Sequence, residues 1–459
     1  MEGAGASIVN QAAELAKREM DSADEEPELP SAIQDLVRRL GGQGEPVTRL
    51  HNLNRPQFLE FFPKRASLST ITGWQSQVRL RVLESIASCN TLEILYPGDI
   101  FVSFFSRRDI SRLTDSEWEL VLRRFRHSTV LREIHVDTQL TSGSDAEVES
   151  FWLQLGRILN YSSVIELKLI YTRLTARCFL NLASGLRGHS DPKLQSLILY
   201  CAWKDSSAVK HVADMINSAP LLETLSLGGY YNDMDDETLG ILSQALIHSS
   251  SLKEFILEIV DWGTALLLKA LAGHDRNRSI ERLRLLRVDS DRLGDCLREL
   301  LISNPSLKEV ELRFLQNRIL PMKGKTGETS VLKKLELSVR SKDLLKKGVW
   351  KDLLCSMQGN HLTHLDLSHS ELDEEAFKDL MGLMRVNLAL REIDVSWGKA
   401  VQIQEALQQN QKRAVYMSVF REANLTFGDA NGGRLFLCGS PRAGKMRCKF
   451  SVLPSIYSN

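Results

Sequence analysis

Cysteine is scarce and scattered in this chain. Its seven cysteines (Cys89, Cys178, Cys201, Cys296, Cys355, Cys438 and Cys448) are odd in number, contain no CxxC pair and repeat at no fixed spacing. That excludes a disulfide-stapled scaffold or a zinc ribbon and fits a reducing compartment. An excess of one charge is missing too: 58 basic residues meet 58 acidic ones, for a net charge of +0. Chains built mainly to hold nucleic acid or an anionic membrane usually carry a basic surplus, so neither partner is expected. Long apolar runs are also lacking. No stretch approaches the roughly 18 uncharged apolar residues of a spanning helix, and the opening MEGAGASIVNQAAELAKREM puts charges where a secretory signal needs an apolar core. The expectation is a cytoplasmic chain with no membrane insertion. Glycine and proline are ordinary at 28 and 12, but 73 of the 459 residues are leucine. Such a surplus of one branched apolar residue asks for a repeat.

The repeat is an apolar residue followed by others three and five places on. It occurs at Leu131-Ile134-Val136, Val164-Leu167-Leu169, Leu194-Leu197-Leu199, Leu222-Leu225-Leu227 and Leu252-Phe255-Leu257. It continues at Ile280-Leu283-Leu285, Leu307-Val310-Leu312, Leu332-Leu335-Leu337, Leu362-Leu365-Leu367 and Leu390-Ile393-Val395. From Val164 onward the steps between first positions are 30, 28, 30, 28, 27, 25, 30 and 28 residues. Leu92-Leu95 is an earlier, imperfect unit, and its step of 39 to Leu131 implies an insertion around GDIFVSFFSRRD.

Between these short apolar runs the periodicity is helical. Thr114 to Glu117 reads as a capping box, followed by Trp118, Val121, Leu122 and Phe125 on one face. Val148, Phe151, Trp152, Leu155 and Leu159 repeat that stripe, as do Leu293, Leu297, Leu300 and Leu301. Each unit is therefore one strand plus one helix, too small to fold alone and stable only when stacked. Asn277, Asn304 and Asn387 each precede a first position by three residues, where a turn through φ > 0 is expected because asparagine tolerates it.

The motif and its period resemble the leucine-rich repeat family, in its longer, helix-bearing variety. The resemblance implies an α/β solenoid, a horseshoe with parallel strands on the concave side and helices on the convex side. It departs from the family where Asn or Cys often follows the last strand residue by three places: Thr172, Ala202, Tyr230, Val260 and Ser370 stand there. The resulting division is a flexible acidic N-terminus over 1–30, a helical cap over 31–90 and about eleven repeats over 91–398. A helical linker over 399–430 and a final segment over 431–459 follow. In the cap, Ile33, Leu36, Val37 and Leu40 form one stripe, and Val78, Val82, Leu83 and Ile86 another.

The final segment carries a second motif. Arg434 to Cys438 reads as a buried strand running into Gly439-Ser-Pro-Arg-Ala-Gly444-Lys445, a P-loop pattern in which backbone amides surround a β-phosphate and Lys445 reaches further oxygens. The magnesium-binding hydroxyl is replaced by Met446, a poor ligand for a hard cation. Repeats followed by AVYMSVFREANLTFGDA and then GRLFLCGSPRAGK are similar to the plant branch of the ROCO proteins, which join leucine-rich repeats to a Roc GTPase domain and a COR domain. The resemblance implies developmental signalling, and it makes Gly439, Gly444 and Lys445 phosphate-binding residues of a Roc domain cut short at its first loop. GTP and magnesium are then expected only in a longer form of the chain.

Strand side chains alternate, so the third, fifth and seventh positions of each unit face the concave side. From Leu131 to Ser396 these hold eleven acids (Glu133, Asp137, Glu166, Glu254, Glu258, Glu309, Glu311, Glu336, Asp366, Glu392, Asp394). Only five bases (Lys168, Arg282, Arg284, Arg313, Lys334) share the face, an excess of six negative charges that favours a basic protein partner and opposes nucleic acid. Ile170, Ile198, Tyr200, Ile256 and Leu286, with Glu258 and Glu311 among the surrounding charge, form the candidate binding patch. His364, Asp366 and Ser368 have the residue types of a hydrolase triad, but neighbours two apart on a strand lie too far from one another for its hydrogen bonds. His361, His364 and His369 lack metal-ligand spacing. No catalytic residue, cofactor or metal is expected; the function expected is a non-enzymatic interaction scaffold. The alternatives are GTP binding, a GTPase activator like Ran GTPase-activating protein, and weak self-association through the edge-seeking RLFLC strand.

Overall fold

The computed structural model describes residues 31–50, 76–97, 113–136, 145–187, 192–229, 235–260, 265–272, 277–288, 296, 299–300, 304–314, 333–339, 361–368, 372, 374–395 and 400–422. Among these residues, twelve strands form one sheet in strict chain order. They are β1 (Arg49–Leu50), β2 (Ile94–Leu95), β3 (Glu133–Val136), β4 (Glu166–Ile170), β5 (Ser196–Tyr200) and β6 (Thr224–Gly228). The second half comprises β7 (Glu254–Val260), β8 (Arg282–Val288), β9 (Glu309–Phe314), β10 (Lys334–Val339), β11 (His364–Leu367) and β12 (Glu392–Val395). Every pairing is parallel. With a helix between successive strands from β1 to β8 and again between β11 and β12, this is the leucine-rich-repeat solenoid expected from the period.

The register follows the repeat without slippage over most of its length. Leu167 lies opposite Leu197, Leu197 opposite Leu225, Leu225 opposite Phe255 and Phe255 opposite Leu283. These residues, and the row two places on, are fully buried, while the residues between them are only half-buried. A one-residue slip would turn the leucine rows out to solvent, which pins the pairing. A single irregularity separates Leu285 and Val288 between β8 and β9.

The convex layer is built from α1 (Ser31–Leu40), α2 (Ser76–Ser88), α3 (Asp115–Phe125), α4 (Asp145–Tyr161), α5 (Ala176–Leu186) and α6 (Val209–Ser218). It continues with α7 (Asp236–His248), α8 (Ala265–Ala272), α9 (Glu374–Val386) and α10 (Ala400–Glu422). The capping box is formed: Thr114 accepts from the Glu117 amide, and the Glu117 carboxylate accepts the Thr114 amide at 2.6 Å. Trp118, Val121, Leu122 and Phe125 of α3 are buried together, as the stripe requires. Helices α4 and α5 approach closely at Gly156 and Gly185, where a Cβ on either would run into the other helix's backbone.

The segment 31–90 contains a strand as well as helices. Thr91 donates to the Val47 carbonyl at 3.0 Å, just as Ser163 donates to Leu131 and Ser251 to Leu222, each at 2.8 Å. Val47 is therefore the first position of an additional unit whose strand is β1. Its two residues carry too short a pattern to be seen in the sequence.

The asparagines do not take the left-handed turn expected of them. Among the described residues, positive φ belongs to Tyr171, Arg173, Cys201 and Arg287 outside glycine, at the ends of strands. Asn277, Asn304 and Asn387 are instead almost completely buried. Asn277 Nδ2 donates to the carbonyls of Leu246 and Ser249, each at 2.7 Å, in the preceding unit. Its Oδ1 accepts the amides of Ser279 and Ile280 at 2.8 and 2.9 Å. Asn304 donates in the same way to Leu271 at 2.8 Å. A helix end leaves carbonyls unpaired, and a side-chain amide that reaches back across the join satisfies them. The strand-to-convex turn, which lacks the family's usual Asn or Cys, is held by backbone: Tyr171 donates to Tyr200 and Cys201 to Gly228, each at 2.8 Å. Buried Thr172 adds a bond to Ala202 at 3.2 Å.

The acidic segment 1–30 and the P-loop residues Gly439, Gly444 and Lys445 lie outside the described residues, as do Asp137, Tyr230, His369, Ser370, Leu293, Leu297 and Leu301. No described helix is long and apolar enough to cross a membrane.

Candidate functional site

The alternation that buries the leucine rows sends the remaining strand residues to the concave face. There the parallel register lays them in rows about 4.8 Å apart from strand to strand. One row reads Ile170, Tyr200, Gly228, Glu258 and Leu286 from β4 to β8. A second reads Lys168, Ile198, Ser226, Ile256, Arg284, Glu311, Glu336, Asp366 and Asp394 from β4 to β12.

Ile170, Ile198 and Tyr200 thus meet on adjacent strands, and each is half-buried. The Tyr200 ring lies over Gly228, occupying the space a Cβ there would take. Tyr171, 56% exposed, stands edge-on to Tyr200 with ring centroids 5.2 Å apart and an interplanar angle of 90°. Burial, the Tyr171 hydroxyl and the nearby Glu258 push the Tyr200 phenol up to about 12. Ile256 lies two strands beyond Ile198, across small Ser226, so the apolar surface extends to β7. Leu286 joins at the far side of Glu258, which pairs with Arg287 at 3.8 Å. The sequence missed Tyr171, because its place one residue past the strand hides it from the alternation.

Glu311 stands apart from this patch. It is 8% exposed and held between Arg284 and Arg313. Arg284 also lies 4.0 Å from Glu254, Arg282 lies 3.3 Å from Glu254, and Arg313 reaches Glu336 at 3.7 Å. The middle of the face therefore neutralises itself. Towards β12 the balance changes: Glu309, Asp366 and Asp394 have no ion pair among the described residues, and Glu392 meets only His364, at 2.9 Å. Burial, with the neighbouring carboxylates of Asp366 and Glu392, raises the Asp394 carboxyl.

The hydrolase-like trio does not assemble. His364 directs its ring nitrogens to Thr363 at 2.8 Å and Glu392 at 2.9 Å, while Asp366 accepts the Ser368 amide at 2.9 Å.

At the other end of the face lies a polar cluster in which Glu133, Glu166 and Lys168, legible in the sequence as concave charges, are joined by His135, which was not. His135 on β3 places Nε2 2.8 Å from Glu133 Oε2 and 3.7 Å from Glu166 Oε1, and its Nδ1 is 3.1 Å from the Tyr96 hydroxyl. Lys168 bonds Glu166 and lies 3.6 Å from Glu133, and Ser196 donates to Glu166 Oε2 at 3.0 Å. His135 holds the Glu166 carboxyl down at about 2, against the upward push of burial and with help from Lys168 and Ser196. The signal for it was Glu-x-His on one strand and Glu-x-Lys at the same register on the next.

No protein-family model matches the chain, and no curated protein matches it. Solved structures do show likeness. The structure of the Rad7 and Elc1 complex in yeast aligns at 15% identity over 86% of this chain and 93% of that one, with a TM-score of 0.37. The actin-binding site 2 of leiomodin-1 aligns at 14% identity over 48% of this chain and 96% of that one, TM-score 0.22. A TLR13 complex with the RNA ssRNA13 aligns at 13% identity over 60% of this chain and 37% of that one, TM-score 0.27.

Proposed function

We propose that this protein is a non-enzymatic interaction scaffold that seats a protein segment on the concave face of its repeats. The observation that carries this reading is the half-buried apolar cluster of Ile170, Ile198 and Tyr200, widened by Tyr171 and Ile256, in the middle of an otherwise charged sheet. Side chains that serve only solubility have no need of it; aromatic and aliphatic anchors in the centre of a concave surface suit a binding hot spot. The partner segment brings apolar side chains for this cluster and basic ones for the carboxylates towards β12, because the acids of the middle strands are already matched. The setting is cytosolic signalling, as the ROCO-like join implies.

The test uses a partner recovered by proximity labelling and then purified. The double substitution Tyr200→Ala with Ile256→Ala removes two anchors from the face and none from the leucine core. Binding is expected to fall by at least 10-fold, corresponding to about 1.4 kcal/mol or more, with the melting temperature little changed. Unchanged affinity would sink the concave patch.

A second reading, GTP binding, rests on the strand-and-loop pattern ending in Gly439, Gly444 and Lys445. Titration with fluorescent GTP separates it: binding that survives Lys445→Ala places any nucleotide elsewhere.

A further inference from the structure

The geometry points to a binding site for one divalent transition-metal ion of the zinc class, formed by Glu133, His135 and Glu166 at the N-terminal end of the concave face. It goes beyond the interaction reading and does not depend on it.

The three ligand atoms converge. His135 Nε2, Glu133 and Glu166 carboxylate oxygens all lie within 4.8 Å of one another, with His135 at 2.8 Å from one carboxylate and 3.7 Å from the other. Donors around a tetrahedral zinc at about 2.0–2.1 Å sit roughly 3.3 Å apart, and the two His135 distances bracket that value. The convergence follows from the fold: Glu133 and His135 alternate on β3, and register sets Glu166 of β4 directly opposite Glu133.

The atoms facing away from this point are held as well. His135 Nδ1 meets the hydroxyl of Tyr96, the residue that follows β2, at 3.1 Å, leaving Nε2 turned inward. Glu166 Oε2 accepts from Ser196 on β5 at 3.0 Å, leaving Oε1 turned inward. Outer partners that orient the inner ligand atoms are a general feature of metal sites. Here they come from β5 and from the residue just past β2, both outside the ligand set.

A cation already stands at the point of convergence. The Lys168 ammonium contacts both carboxylates, so the face is arranged to receive positive charge there. Its side chain is 26% exposed and ends a flexible four-carbon stem, which can turn to solvent when an ion takes its place. One imidazole with two carboxylates suits zinc or cobalt better than calcium, which takes oxygen ligands alone. Three protein donors leave a tetrahedral ion one further position.

The experiment titrates the whole protein with zinc against a chromophoric chelator, and with cobalt by visible absorption. One equivalent is expected, with the intense bands of a four-coordinate cobalt ion. His135→Ala should weaken binding at least 10-fold, and Tyr96→Phe should weaken it by a smaller factor. Lys168→Met should tighten binding, since it removes the competing cation. That last result has no counterpart in a purely structural ion-pair cluster. Glu133→Gln, which preserves size, serves as the second ligand variant if circular dichroism shows that His135→Ala does not fold. Binding that is indifferent to both His135→Ala and Glu133→Gln, or no tighter in Lys168→Met, overturns the assignment and moves any metal to surface histidines such as His361 and His364.

Discussion

Single residues on the concave face titrate in opposite senses. Glu166 has a folded value of about 2 against an ordinary 4.5. A carboxylate depressed in this way stabilises the fold at neutral pH, and its contribution disappears as pH falls from about 4.5 through about 2. Asp394 is the reverse case. Burial and two neighbouring carboxylates raise it, so its ionisation opposes folding at neutral pH, and the penalty is relieved as pH falls into the ordinary carboxylate range. Urea midpoints measured between pH 7 and pH 2 should therefore fall less steeply in Glu166→Gln than in the parent, and Asp394→Asn should stabilise at pH 7. An acid limb unchanged by Glu166→Gln would show that His135 and Lys168 do not favour the charged form. Since Glu166 keeps some solvent contact, the effect is expected to be modest.

At the scale of elements, the join between α4 and α5 is the tightest among the described helices. Both helices contain a glycine, and each glycine faces the other's backbone, Gly156 against Leu182 to Leu186 and Gly185 against Leu153 to Arg157. In an exposed helix Gly→Ala usually stabilises, because alanine has the better helix propensity. Here the sign should invert. The methyl meets backbone, which cannot swing aside, so Gly185→Ala is expected to cost roughly 1–3 kcal/mol, read as a lower urea midpoint. A gain in stability would mean that the helices have room to separate. The sequence places Gly156 within the Val148 to Leu159 helical stripe without explaining it; a helix-to-helix approach is invisible to periodicity within either helix.

Across the whole molecule, the repeats are tied together by two separate systems. Leucine rows bury the strand side, and asparagine amides bridge the helix ends. Asn410 shows how far the second extends, because it donates to Asn387 at 3.3 Å and to Met384, as Asn277 does to Ser249 and Leu246 one unit apart. The first turns of α10 therefore occupy the place of another repeat's helix, with Ile403 and Leu407 buried against the array. In a solenoid, stability passes through nearest-neighbour interfaces. Asn277→Ala takes the side-chain donor from the Leu246 carbonyl at a cost of roughly 1–3 kcal/mol, while Ser249 keeps the Ser279 hydroxyl at 3.0 Å, and hydrogen exchange should quicken in the units on both sides of that join. Exchange faster only around residue 277 would mean that the bridge does not couple the repeats.

The sequence alone determined the strand-and-helix unit, its period and phase from Leu92 onward, and which residues alternate inward. A leucine every two to three places over a period near 28 residues has no other way to bury itself than in a stacked parallel sheet. The two concave rows, one with Ile170 and Tyr200 and the other with Ile198 and Ile256, were readable for the same reason. Only the tertiary structure decided what depends on contact between units. It set Tyr171 against Tyr200, clasped Glu311 between two arginines, and brought Glu133, His135 and Glu166 to one point. It also turned the asparagines from turn residues into bridges. Each of these groupings draws in at least one residue about 30 positions away, and alternation along one strand carries no information about which side chain waits on the next.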